Sequence, residues 1–318
     1  GLLGQHVVAA LPGRARLFEA PRVPWTEPEL AAGVLRRTAH DLLAAAGDGP
    51  WQVVWCAGAG VTGTSPEEFE AEHALLAAAL DGLAGDSGDG GTDPARAARG
   101  ALFLASSAGG VYAGVGASPY DEHSPTKPLA AYGWAKLRAE ETVRQWAAGG
   151  TPVVIGRIAN LYGPGQNLDK PQGLVSQLCA AHLERRPLSI FVSLDTLRDY
   201  LYAPDCAAMV LDCLDRARLE AGGASTGGAG TGGVVTTKVL ATQRAITIGA
   251  VIAELRRIFR RRPTIVLGAS PVAALQSRDL SLSSRVWPEI DQRTLTTFPA
   301  GVYATLEDLQ ARLQLRGS

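Results

Sequence analysis

Short apolar runs alternate with longer stretches of helical periodicity along almost the whole chain. Continuous apolar runs of strand length read as strands covered on both faces. They predict strands at Trp51–Cys56, Ala101–Ser106, Pro152–Arg157 and Val234–Leu240, with shorter ones at Ala15–Glu19, Leu188–Val192 and Thr264–Leu267. Helices are predicted just after Gly1, from Thr26 to about Ala46, over Ser65–Leu83, Ala130–Ala147, Gly173–Glu184 and about Asp205–Ala217, over Ile248–Phe259 and near Leu306–Leu313. Thr26 with Glu29 and Ser65 with Glu68 have the spacing of capping boxes, and Asp205 suits an N-cap. Gly85–Gly100 reads as an exposed polar loop, and Ala221–Gly233, with seven glycines in thirteen residues, as a flexible linker. Nothing recurs at a period of about 20 to 50 residues, so a repeat architecture is not expected.

Composition narrows the class. The 318 residues are 46% hydrophobic, enough for a large α/β domain with an appendage, and the net charge is −1. That balance argues against a nucleic-acid or anionic-membrane partner. The basic run Arg256–Arg262 reads as a solvated helix end. No apolar run reaches the roughly 18 residues of a membrane span, and no secretory leader is visible. Cys56, Cys179, Cys206 and Cys213 fit no zinc spacing and suit free thiols, so a cytoplasmic protein without a metal is expected.

The chemistry gathers between Ser106 and Lys136. Tyr132 and Lys136 stand four apart on a predicted helix and so share a face. An ammonium beside a phenol favours the phenolate, which lets a tyrosine exchange protons far below its free value of about 10. Ser106 and Ser107 arrive at a strand end just upstream, followed by Ala108-Gly-Gly-Val-Tyr112 and by Asp121-Glu-His-Ser-Pro125. Strand, small hydroxyls, loop and Tyr-Gly-x-x-Lys in this order resemble the extended short-chain dehydrogenase/reductases, the NAD-dependent epimerase/dehydratase family of sugar-nucleotide enzymes. Arg157-Ile-Ala-Asn160-Leu-Tyr162-Gly-Pro-Gly165 and Arg198-Asp-Tyr200 through Asp205 extend the resemblance across the chain.

The resemblance implies a doubly wound Rossmann-type parallel sheet with a small C-terminal α/β substrate domain. Residues 1–166 would form the dinucleotide-binding part, with segments around 198–218 and 234–245 returning to it, and residues 167–197 and 246–318 the substrate part. Gly1 and Gly4 would match the second and third glycines of the pyrophosphate loop, and the strand expected before them is missing from the sequence. Only one predicted helix separates Glu19 from Trp51, which leaves no room for a full seven-stranded sheet. NAD or NADP is the implied cofactor. Glu19 would take the adenosine ribose, with Arg22 leaving a 2′-phosphate open, and Ala57, Gly58, Ser106 and Tyr162 would line the cofactor site. Tyr132 would exchange the substrate proton, and Lys136 would hold the nicotinamide ribose. The third hydroxyl is expected at Ala108, so Ser107 would have to replace it. Asn160 and Ser107 would touch substrate, Arg198 its diphosphate, and Arg278 or Arg285 could reach phosphate.

The acid and base of the family's dehydratases fall on Gly109 and Gly110, which disfavours elimination. The implied function is an NAD(P)-dependent epimerase or ketoreductase of a nucleotide-activated sugar. A reductase of a non-nucleotide carbonyl and a non-catalytic dinucleotide-binding protein remain open. A homodimer through Pro66–Leu83 and Ala130–Ala147 is possible, by the same resemblance.

Overall fold

The computed structural model describes residues 1–58, 60, 64–84, 94–169, 173–224, 233–260, 264–268 and 276–317. In chain order its helices are α1 (Leu2–Ala9), α2 (Pro28–Ala46), α3 (Pro66–Ala84), α4 (Pro94–Arg99), α5 (Ala108–Tyr112), α6 (Ala131–Trp146), α7 (Leu174–Leu183), α8 (Ala203–Ala224), α9 (Ile248–Phe259), α10 (Pro288–Asp291) and α11 (Phe298–Gly317). Its strands are β1 (Trp51–Trp55), β2 (Gly100–Ser107), β3 (Val153–Ile158), β4 (Asn160–Tyr162), β5 (Leu188–Ile190), β6 (Leu197–Arg198), β7 (Tyr200–Tyr202), β8 (Val235–Leu240), β9 (Ile246–Thr247), β10 (Ile265–Leu267) and β11 (Asp279–Leu280).

The central sheet is parallel, in the order β1-β2-β3-β8. Successive side chains of a strand point to opposite faces, and both faces are apolar here. Ala101, Phe103 and Val154 pack with Leu3 and Val7 of α1 and with Met209, Val210 and Cys213 of α8. Leu102, Leu104, Val153 and Ile155 face the other way, onto Leu43 of α2, Leu80 of α3 and Val143 of α6. That is the reason the strands read as unbroken apolar runs. A third cluster forms around Tyr162, Val175, Leu178, Val251, Leu255 and Val302, joining α7, α9 and α11. Small ladders position these later segments: β5 with β10, β4 with β7, and β6 between β11 and β9.

Several predicted elements differ. Residues 15–19 form no strand but an irregular, mostly exposed segment. Pro12, Gly13, Pro21 and Pro24 break the backbone around them, and among the described residues they have no neighbouring strand to pair with. The Thr26–Glu29 box does not form, because α2 starts at Pro28 with Glu27 as N-cap and no side-chain cap. The Ser65–Glu68 box does, with Ser65 N donating to Glu68 (2.9 Å) and Glu68 N to Ser65 (3.2 Å). The predicted loop Gly85–Gly100 holds α4 at residues 94–99, and residues 85–93 lie outside the described residues. Asp205 is not the cap of α8, which begins two residues earlier; its carboxylate instead accepts Thr296 N (2.7 Å) and Thr296 Oγ1 (3.1 Å). The glycine-rich stretch from 221 begins as the last turn of α8, and residues 225–232 lie outside the described set, as do 261 and 262 of the basic run.

Candidate active site

The site forms where the carboxyl ends of β1 and β2 meet the first two turns of α6. Alanine, leucine, glutamate, lysine and arginine dominate α6 and favour helix. Pro125 and Pro128 keep the preceding segment non-helical. Tyr132 and Lys136 are both half-buried on its inner face, with Lys136 Nζ 5.7 Å from the Tyr132 ring centroid and donating to Ala105 O at 3.3 Å. Both line a cleft of about 330 Å³, together with Trp55 and Ala57 at the end of β1 and Phe69 and His73 of α3.

Close backbone approach makes this arrangement possible. A Cβ on Gly133 would overlap the Gly110 carbonyl oxygen and sit 2.7 Å from Pro128 Cβ. A Cβ on Gly110 would come 3.0 Å from Tyr132 Cε1 and 3.4 Å from Ser107 Cβ. Gly110 therefore lies between the Tyr132 ring and Ser107, and its lack of a side chain brings the two to one place. Ser107 is the N-cap of α5, its Oγ accepting Gly110 N at 3.2 Å. Ala108 is fully buried among Val111, Tyr112, Val239 and Leu280, so position 108 serves packing.

Gly1 is the N-cap of α1, with no side-chain cap and open space where a Cβ would stand. At Gly4 a Cβ would meet Cys56 Sγ at 3.0 Å, so glycine lets α1 pack directly on the end of β1. Gly58 takes φ +143°, and a Cβ there would lie 3.5 Å from Glu72 Oε2 and 3.8 Å from Lys136 Nζ, filling the gap beside the ammonium.

Other predicted residues stand elsewhere. Glu19 and Arg22 are exposed on the irregular segment before α2, so Glu19 occupies no strand end. Ser106 is buried, and its hydroxyl donates to Glu140 Oε1 at 2.6 Å. Tyr162 is buried in an aromatic cluster with Tyr200, Tyr202 and Phe298, where burial, then the Asp205 charge, pushes its phenol up. It serves the core of the later segments, and the loop after it turns instead to α1, where Gln5 Nε2 donates to Pro164 O at 3.1 Å. Asn160 exposes its side chain at the start of β4.

Arg198 is buried on β6. Its guanidinium donates to Leu197 O (2.8 Å) and Gln276 Oε1 (3.3 Å), and burial lowers its pKa. Among the described residues it forms no ion pair. Asp199 beside it is turned away, accepting Thr242 N (2.9 Å) and Arg244 N (3.1 Å). Arg278 pairs with Asp195, and Arg285 with Asp121 at 2.7 Å.

One group escaped the sequence reading. Glu140 is 2% exposed, one turn beyond Lys136, and receives Ser106 and the fork of Arg157. The signal was present in the Tyr132-Lys136-Glu140 spacing, but its partner comes from a different strand.

A parallel sheet wound by helices on both faces, with a tyrosine–lysine pair at the strand ends, defines a Rossmann-type dinucleotide fold. The chain belongs to the NAD dependent epimerase/dehydratase family, whose model matches residues 1–224. It is 31% identical over 118 residues to an uncharacterized UDP-glucose epimerase of Bacillus subtilis, covering 37% of this chain and 36% of that protein. It is 32% identical over 125 residues to human dTDP-D-glucose 4,6-dehydratase, covering 39% and 35%. The matched segment thus spans about a third of each of these relatives. Thermus thermophilus UDP-glucose 4-epimerase, solved in complex with NAD, superposes with a TM-score of 0.72 at 18% identity over 98% of this chain and 96% of that one, a likeness of fold. Among the described residues no helix is long and apolar enough to cross a membrane, and no cluster of side chains could hold a metal ion.

Proposed function

We propose that this chain is an NAD(P)-dependent epimerase or ketoreductase acting on a nucleotide-activated sugar. The observation that carries the reading is that Tyr132 and Lys136 share a cleft at the β1 end, with Ser107 and the Tyr132 ring both beside Gly110, inside a family of NAD-dependent sugar-nucleotide enzymes. The residues present fit a dinucleotide. The uncapped first turn of α1 suits a pyrophosphate, and the gap at Gly58 suits a group approaching Lys136.

A bound nicotinamide cofactor supplies the site for hydride exchange with a carbinol or ketone carbon. Tyr132 takes the hydroxyl proton as the carbinol is oxidised and returns it as the ketone is reduced. Lys136 would hold the nicotinamide ribose, its ammonium standing 5.7 Å from the centroid of the Tyr132 ring. Ser107 donates to the substrate oxygen, taking the place of the hydroxyl expected at position 108. Gly1, Gly4, Ala57 and Gly58 hold the cofactor, and Asn160 and Arg198 meet the substrate, Arg198 after exchanging its contact with Gln276 for a phosphate. Gly109 and Gly110 offer no acid or base for water elimination, and a side chain at Gly110 would crowd the Tyr132 ring. Epimerisation or ketone reduction therefore fits this loop better than dehydration. A cytoplasmic homodimer pairing the α3 and α6 faces accompanies this reading.

Fluorescence titration with NADH and NADPH tests it, followed by a screen of UDP- and dTDP-sugars for interconversion or reduction. Saturable binding with turnover of a nucleotide sugar supports the proposal. Binding without turnover of any such sugar, but with reduction of simple carbonyls, would replace it by the non-nucleotide reductase.

A further inference from the structure

We infer that Glu140 and Arg157 form a buried positioning unit that sets Tyr132, Lys136 and Ser107 relative to one another; this rests on the reading of those three residues as the site. Residues 132, 136 and 140 follow one another at intervals of four along one face of α6. The first two reach the cleft. Glu140 lies beneath them, 2% exposed, against the ends of β2 and β3. Its Oε1 accepts Ser106 Oγ at 2.6 Å and Arg157 Nε at 3.1 Å, and its Oε2 accepts Arg157 Nη2 at 2.8 Å.

Arg157, 6% exposed near the end of β3, completes the unit. Its Nη1 donates to Tyr112 OH at 2.8 Å, and the guanidinium lies 5.2 Å from the Tyr112 ring centroid. Tyr112 in turn donates to Asp121 O at 2.7 Å. One carboxylate and one guanidinium, with Tyr112 as a further link, thereby tie together five separate pieces: α6, β3, the Ser106–Ser107 end of β2, the last residue of α5, and the loop leading to α6. Burial alone would lower the Arg157 pKa, but the hydrogen bonds and charge of Glu140 outweigh it, and the guanidinium lies above its ordinary value.

A buried ion pair is a poor source of stability, since an apolar pair of similar volume often serves as well. What an apolar pair cannot reproduce is direction. The planar fork of arginine fixes two carboxylate oxygens and leaves a third donor for Tyr112. Ser106 and Ser107 face different partners, and the bond from Ser106 to Glu140 sets the strand end so that Ser107 caps α5 beside Tyr132. Ser106 is thus a positioning residue acting through Glu140.

The test compares the full chain with Glu140→Leu/Arg157→Met, which removes both charges together and avoids an orphaned ion, and with Arg157→Lys, which keeps the charge but loses the fork. Circular dichroism and thermal melting establish that each variant is folded. Hydrogen-exchange mass spectrometry without ligand is then read over Ser107–Tyr112 and the first turns of α6, with α9 as internal control. Exchange is expected to quicken about tenfold in those segments and not in α9. NADH affinity is expected to fall about five- to tenfold, because misplacing a binding group weakens every contact that depends on it. Ser106→Ala should reproduce a smaller part of both effects. Unchanged exchange in the folded variants overturns the positioning role whatever the cofactor does. Wild-type protein that binds neither NADH nor NADPH would instead sink the dinucleotide reading, and the exchange comparison still decides the network.

Discussion

At the scale of single residues the proposal rests on Tyr132 and Arg198, which make separable predictions. Tyr132→Phe deletes the oxygen proposed to exchange the proton and keeps the ring beside Gly110. Turnover of the nucleotide sugar is expected to fall by about 10² to 10⁴, with NADH affinity nearly unchanged in the same fluorescence titration. Activity surviving at the wild-type level would remove Tyr132 from the acid–base role. Arg198→Ala tests recognition. It should chiefly raise KM for a diphosphate substrate, because among the described residues the guanidinium makes no ion pair and holds Leu197 O and Gln276 Oε1. Unchanged steady-state kinetics would count against a nucleotide-sugar substrate. Both residues were singled out by the motifs that carry the family resemblance. Ser106 was legible only as a hydroxyl at a strand end; that it turns to Glu140 depends on where α6 lies.

Among elements, the placement of α6 depends on a glycine contact. Gly133 rests on the Gly110 carbonyl, so Gly133→Ala overpacks the α5–α6 contact. A loss of about 1–3 kcal/mol in urea unfolding is expected, together with displacement of Tyr132 and loss of turnover. A variant as stable and active as wild type would show that the contact relaxes freely. The two candidate capping boxes show how a local motif is decided. Ser65 and Glu68 bond reciprocally because α3 starts at Pro66, whereas α2 starts at Pro28 and leaves Thr26 outside the helix. Spacing proposed both, and the helix start chose one.

Over the whole molecule, buried charges tie the C-terminal segments to the central sheet. Lys238 of β8 is fully buried and bonds Asp291 of α10 at 2.6 Å and Ser284 at 2.5 Å. Lys238→Met leaves that carboxylate without its cation, and a loss of about 3–5 kcal/mol is expected in denaturant unfolding. A loss near zero would mean that Asp291 finds another donor. Acid sensitivity belongs to the same scale. Burial alone would raise the Asp279 carboxyl, but hydrogen bonds from Ser118 and Ser281 outweigh it and hold it below its ordinary 3.8. A carboxylate with a lowered folded value contributes stability that is present above 3.8 and fades as pH falls through the folded value. Unfolding free energy should therefore drop less between pH 5 and pH 3 in Asp279→Asn than in wild type. An equal drop would show that Asp279 has no part in it.

The sequence by itself determined the strands of the central sheet, the helices on its faces, the family and the Tyr132–Lys136 pair. Each is a local signal: a continuous apolar run, a helical period, or a motif of contiguous residues. Residues 15–19 mark the limit, because a strand exists only through its neighbours and the short apolar run there has none among the described residues. Tertiary structure alone decided that Ser106 turns to Glu140, that Tyr162 serves a core, that Arg198 is held by Gln276, and that Glu140 meets Arg157 across 17 positions of sequence. A side chain's role depends on its partner, and here the partners come from other strands and helices, brought together only when both faces of the sheet are covered.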